Sequence, residues 1–270
     1  MFKDITIGQY VEGSSFIHKM DARIKILLAL FYIIILFVIT SPAAYLLFTL
    51  FTVFLVLLSG VPFKYILRGL KPMLFILAFT AVINLFMTGG STVIWSCPFW
   101  SKLRITKEGL STAVFMILRL VFLVVGTSVL TLTTTPLMLT DGIEKLLKPF
   151  EIIKVPSHEI AMMMTIAIRF IPTLSEETEK IMKAQMARGA DFESGNIFRR
   201  AKAMIPLLVP LFISAFRRAD ELAVAMDSRC YHGGKNRTRM KVMKMTYRDA
   251  VASVFMLIFA VAAVVIQKIV

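Results

Sequence analysis

Two arginines in this chain sit in matching surroundings. Arg188 lies between Ala187 and Gly189 in KAQMARGAD, and Arg229 lies between Ser228 and Cys230 in AVAMDSRCY. A shift of 41 positions lays Glu179 on Asp220, Ile181 on Leu222, Ala184 on Ala225 and Arg188 on Arg229. A guanidinium is a planar fork of five donors suited to carboxylates and carbonyl-lined grooves. Small neighbours let a second backbone come close. The chemistry on offer is recognition rather than bond-making. The plain alternative is helix capping, because a terminal Arg complements the helix dipole and a following Gly is the common terminator. One such end reads as a cap. Two in register, in one basic region, read as a pair of docking tips for a partner with two similar halves.

Other chemistry is not supported. No Gly-x-x-x-x-Gly-Lys-Ser/Thr loop is present, and HGGKNR (His232–Arg237) has the wrong spacing for a phosphate cradle. Any ATP is expected to be handled by another chain. His18, His158 and His232 are scattered without ligand spacing, so neither a metal nor a cofactor is expected. The run Met162–Met163–Met164 reads as adaptable packing. No Ser-His, Glu-x-x-His or paired-carboxylate set lies on an apolar helix, and no catalytic residue is assigned.

The elements that must carry the two tips follow from composition. The chain has 270 residues, is 57% hydrophobic and has a mean hydropathy of +0.77. That exceeds soluble usage and implies an integral membrane protein. Without long polar/apolar alternation the expectation is helices, not a barrel. The net charge of +14 fits the positive-inside bias rather than nucleic acid, since aromatic-basic interleaving is missing. Five spans are expected: Ile26–Thr40, Ala43–Ser59, Met73–Met87, Leu110–Thr134 and Ala250–Ile266. No signal peptide is expected, since Met1–Lys25 lacks an apolar core.

Lys3, Lys19, Arg23 and Lys25 precede the first span, and Lys64, Arg68 and Lys71 separate the second from the third. Both regions are expected to be cytoplasmic. The Gly89–Lys107 loop, with Trp95, Cys97, Phe99, Trp100 and Lys102, is then external, which sets Cys97 and Cys230 on opposite sides. Thr135–Thr246 holds most of the Lys, Arg and acidic residues and is expected to be a cytoplasmic helical region. Its expected helices are Leu139–Leu147 with Thr140 as N-cap, Ser157–Phe170 with Ser157 as cap, Pro172–Arg188, and Pro206–Arg229. Its apolar pieces Ile160–Ile168 and Met204–Phe216 are too short to span. Arg119, inside the fourth span, is expected to pair with a carbonyl or polar side chain of the bundle. Asn84 is expected to be helix–helix glue, and Thr131–Thr135 to bond their own backbone.

The chain resembles the transmembrane T component of energy-coupling factor (ECF) transporters over nearly its whole length. FIHKMDARIKIL (Phe16–Leu27) is similar to that family's His-x-Leu-Asp-Pro-Arg-x-Lys opening, with Ala22 where Pro is frequent. IRFIPTLSEETEKIMKAQMARGAD (Ile168–Asp191) resembles the family pattern almost throughout. ADELAVAMDSRCY (Ala219–Tyr231) is similar to a second signature that usually ends Ala-Arg-Gly, here Ser228-Arg229-Cys230.

The resemblance implies an all-α membrane protein of about five transmembrane helices with two long coupling helices ending in Arg motifs. Residues 1–134 would hold the N-terminal segment and four spans, 135–246 the cytoplasmic coupling helices, and 247–270 the last span. It implies a non-catalytic coupling subunit of an ATP-driven vitamin or micronutrient importer in the cell membrane. Ala187, Arg188, Gly189, Ser228, Arg229 and Cys230 would dock two related ATPase subunits, and a separate membrane-embedded S component would bind the substrate. The competing class is a self-contained secondary transporter or channel, which should show inverted repeats and midplane polar groups. The residues show no such repeat.

Overall fold

In the computed structural model, which describes residues 10–89, 92–96, 104–192, 196–234 and 243–269, the chain is helical almost throughout. Helix α1 (Ala22–Val38) starts where the Asp21 carboxylate accepts from the Arg23 amide, and α2 (Pro42–Ser59) opens on proline and stops at Gly60 with φ 64°. A short α3 (Phe63–Leu70) runs through a 3₁₀ turn, Lys71–Met73, into α4 (Leu74–Met87). Strands β1 (Val93–Ser96) and β2 (Arg104–Thr106) form an antiparallel hairpin with Val93 opposite Thr106. Then follow α5 (Lys107–Thr133), α6 (Pro136–Leu147), a 3₁₀ turn, α7 (Ser157–Ala187), α8 (Ile197–Asp227) and α9 (Tyr247–Ile269). The protein is thus an all-α membrane protein with one small hairpin.

Among the described residues, four runs are long and apolar enough to cross a bilayer: Pro42–Ser59, Phe63–Met87, Lys107–Thr133 and Tyr247–Ile269. The 17 residues of α1 sit at the lower end of spanning length, roughly 17–25 residues. Neither Ile160–Ile168 nor Met204–Phe216 forms a candidate span; each is part of a longer helix that carries charges.

The chain divides into two compact units, one of Gly8–Gly142 with Met243–Val270, the other containing Ile143–Val242. The core of the first joins Tyr32, Leu36 and Ile39 of α1, Phe48 and Phe51 of α2, Phe122 of α5 and Phe259 of α9. The Phe51 and Phe259 rings stack 3.8 Å apart. The Tyr32 hydroxyl donates to the Phe122 carbonyl at 3.2 Å, and its ring lies where a Cβ on Gly126 would stand. Arg119 behaves as its sequence position suggested. Its guanidinium donates to the Ile39 carbonyl just past α1 and to the Tyr45 hydroxyl, both at 3.1 Å.

Several expected helix boundaries need correction. Residues 157–170 and 172–188 are not two helices but one, because Pro172 is accommodated inside α7. Pro206 does not open α8 but lies within it with Pro210, nine residues from Ile197. An interior proline lacks its own amide bond and crowds the carbonyl four residues back, and the flanking turns hold the helix despite that cost. Ser157 is not the cap of α7: Pro156 takes that place, and the Ser157 hydroxyl donates to Glu151. Thr140 is not a cap either. It lies in α6 and donates back to the Pro136 carbonyl, while the Thr135 hydroxyl accepts from the Met138 amide. Among the described residues the Asn84 side chain bonds its own helix at the Thr80 carbonyl, while its backbone carbonyl lies close to Gly109 of α5.

Candidate functional site

Helices α7 and α8 each have 31 residues and end in the two arginine motifs. At the first end, the Gly189 amide donates to the Met186 carbonyl at 2.9 Å and the Ala190 amide to Gln185 at 3.0 Å. Gly189 takes the left-handed conformation at φ 85°. At the second, the Cys230 amide donates to Asp227 at 2.9 Å and the Tyr231 amide to Met226 at 3.1 Å, with Cys230 at φ 56°. Each bond of one end repeats 41 positions later in the other. Both are the paired 6→1 and 5→2 closure of a helix C-terminus. Replacement of glycine by Cys230 therefore leaves the turn intact, although a side chain there pays steric strain that glycine avoids.

Arg188 and Arg229 are exposed, and neither guanidinium has a partner among the described residues. Ala187 and Ser228 before them are exposed too, and nothing crowds Gly189 within 4 Å. The arginine side chains thus take no part in closing their own helices, which the backbone bonds accomplish.

Among the described residues, side-chain hydrogen bonds join the two helices at Glu177. Glu177 accepts from the Ser214 hydroxyl at 2.6 Å and from the Arg218 guanidinium at 3.0 Å. The Ser214 bond, and then Arg218, hold the Glu177 carboxyl below the usual carboxylate range. Glu177 and Arg218 are themselves 41 positions apart, so equivalent residues of the repeat meet. That is how a two-fold contact is built. Chain reach then limits how the helices cross. If the helices ran the same way, the ends at Ala187 and Ile197 would lie about 43 Å apart at 1.5 Å per residue. The connecting chain reaches at most about 35 Å. The helices therefore do not run side by side in the same sense, and each arginine lies on the C-terminal arm of its own helix beyond the crossing. Each arginine is 11 positions past its crossing residue, about 16 Å along the helix.

The second end has an extra support. A Cβ on Gly234 would overlap the His158 ring, so the glycine lies flat against it, while His158 Nδ1 is 3.2 Å from Glu144 Oε1. His158 is thus a packing residue of the tip region. Among the described residues no group of three His, Cys, Asp or Glu side chains could hold a metal ion. Cys97, Phe99, Trp100, Lys102, Lys3 and the basic part of HGGKNR lie outside the described residues, as does the side chain of Trp95.

The N-terminal motif builds a second polar cluster, inside the first unit. Lys25 is only 5% exposed, and its Nζ donates to the Thr133 carbonyl at 3.0 Å and the Thr134 hydroxyl at 3.1 Å. Asp21 pairs with Arg23, and its amide donates to Asp249 Oδ1 at 2.8 Å. Burial pushes the Asp21 carboxyl up, but the bonds from Arg23 and the charges of Arg23 and Lys25 outweigh it and hold it low. His18 sits between the Ser15 hydroxyl at 2.6 Å and the Val11 carbonyl at 2.9 Å. The start of α1, the end of α5 and the start of α9 are thereby joined. Sequence reading missed this cluster and the Glu177 contact. The signals were a single acid, Asp249, ahead of an apolar span, and an acid and a base at equivalent repeat positions.

A cavity of about 340 Å³ lies beside this cluster between α1, α2, α5 and α9. Its walls are aliphatic and aromatic, and its polar residues Lys25, Tyr32 and Thr133 are all engaged in hydrogen bonds. It offers no converging polar groups to a hydrophilic substrate.

The family model described as cobalt transport protein, CbiQ, matches residues 13–242. The chain is 59% identical over 260 residues to the energy-coupling factor transporter transmembrane protein EcfT of Clostridium kluyveri, covering 96% of this chain and 95% of that one. It is 56% identical to the EcfT of Thermosediminibacter oceani, with 97% of both chains covered. With the EcfT of Bacillus subtilis it shares 45% identity over 96% of this chain and 97% of that one.

Proposed function

Since the chain belongs to the CbiQ family, among its energy-coupling factor transporter transmembrane proteins, we propose that it couples two ATPase subunits to a separate substrate-binding S component. Hydrolysis takes place in the ATPases, and this chain makes and breaks no bond. The observation that carries the reading is the pair of like-built arginine tips, without partners among the described residues, on two helices joined at equivalent residues. A pseudo-symmetric pair of tips matches two related ATPases better than it matches one. Each guanidinium fork would bind carboxylates or carbonyls in a groove of one ATPase subunit, with Ala187, Gly189, Ser228 and Cys230 leaving the backbone accessible. Motion of the ATPases would rotate α7 and α8 about the Glu177–Arg218 crossing.

The N-terminus and both tips would be cytoplasmic, and the importer would sit in the cell membrane. The apolar cavity supports assigning substrate recognition to the S component, which also argues against a self-contained transporter. Co-purification of this chain with both ATPases and an S component tests the reading. Replacing Arg188 or Arg229 by Glu should weaken recovery of the ATPases, because losing one member of a buried charged contact costs on the order of 2–5 kcal/mol. The S component should still co-purify. Undiminished ATPase recovery with both arginines replaced would end the proposal.

A further inference from the structure

Of the four candidate spans among the described residues, Phe63–Met87 is the least buried inside the protein, and it begins with a basic stripe. Lys64, Arg68 and Lys71 recur at helical spacing on one face of α3 and its following turn, and all three are exposed. They span about 10 Å along the axis. None has an ion-pair partner among the described residues, and the whole stretch between Asp21 and Glu108 contains no Asp or Glu. The Arg68 guanidinium lies 5.9 Å over the Tyr65 ring, which orders it without neutralising it.

The opposite side of α3 is the packed one. Ile66 is 1% exposed and joins Val125 and Leu132 of α5, and Gly69 approaches the Ser128 hydroxyl. Between packed and basic faces runs an exposed apolar stripe, Phe63, Leu67 and Leu74, which continues into Phe75 and Phe79 of α4. None of the apolar window of Phe63–Met87 is buried inside the protein. A cationic stripe thus sits at the end of an exposed apolar one, beside the buried end of α5 that Lys25 holds. Zwitterionic headgroups would leave three positive charges uncompensated, whereas an anionic headgroup complements them.

We propose that the basic face of α3 binds the headgroup phosphate of an anionic phospholipid whose acyl chains lie along the exposed apolar stripe of α3 and α4. This site depends on membrane insertion and not on the coupling reading. The test uses the purified full chain in detergent, doped with equal amounts of phosphatidylglycerol and phosphatidylcholine, with bound lipids counted by native mass spectrometry. The parent should retain phosphatidylglycerol in preference by roughly tenfold or more, the scale set by a few Lys and Arg at an anionic surface. The preference should fall as salt rises.

Lys64→Gln/Arg68→Gln/Lys71→Gln should abolish it. Lys107→Gln, which removes a cation at the other end of α5, should keep it. Lys64→Arg/Lys71→Arg, which preserves charge and fold, should also keep it. Equal retention of both lipids by the parent overturns the proposal, and so does an undiminished preference in the triple variant or a lost one in the charge-preserving variant. Competition by free glycerol phosphate as effective as that by phosphatidylglycerol would overturn the lipid assignment.

Discussion

Cys230 occupies the left-handed position that Gly189 fills in the other tip. A side chain there costs about 1–2 kcal/mol relative to glycine. Cys230→Gly should therefore slow amide hydrogen exchange at Cys230 and Tyr231 several-fold, without loss of ATPase recovery. Gly189→Ala should speed exchange at Gly189 and Ala190 by a similar factor. Lys25 makes the opposite kind of contribution. Its buried ammonium serves two acceptors at the end of α5 beside the Asp21–Asp249 contact. Breaking a buried charged arrangement by removing one member costs on the order of 3–5 kcal/mol. Lys25→Met should lower the detergent unfolding midpoint well below that of an exposed control such as Lys183→Met. An equal effect of the two would mean that the cluster does not anchor the bundle.

At the scale of elements, the Glu177–Arg218–Ser214 contact holds the two long helices together. The Glu177 carboxyl is held low in the folded protein, so its contribution is present above the ordinary glutamate range and lost as pH falls below about 4. Exposed pairs of this kind are worth at most about 1 kcal/mol. The spread of spin-label distances between α7 and α8 should therefore widen at low pH in the parent and be pH-independent in Glu177→Gln. Four of the five expected spans coincide with helices long and apolar enough to cross a bilayer, because apolar length is a direct signal. The continuity of α7 was not, since Pro172 reads as a helix start whether or not the preceding turn continues. Nor were the caps: Thr140 has the right type, but Pro136 already opens the helix before it. The tip arginines were visible through their repeat. The crossing residues obey that same repeat, but an acid facing a base does not look like a match when sequences are laid side by side.

At the scale of the whole molecule, the account needs both tips on the ATPase side of the membrane. Cys230 is a free, exposed thiol beside Arg229, so a membrane-impermeant maleimide should leave it unlabelled in sealed cells and label it after permeabilisation. Labelling in sealed cells would contradict the orientation. The central claim is that one chain grips two ATPases, one with each tip. A photo-crosslinking residue placed at Ala187 or Ser228 keeps both arginines and tests this directly in the assembled complex. Ala187 should crosslink to one ATPase subunit and Ser228 to the other, and the chain carrying both probes should yield an adduct of one chain with two ATPases. Crosslinks from both positions to the same ATPase subunit, or from neither position to any, would contradict the account.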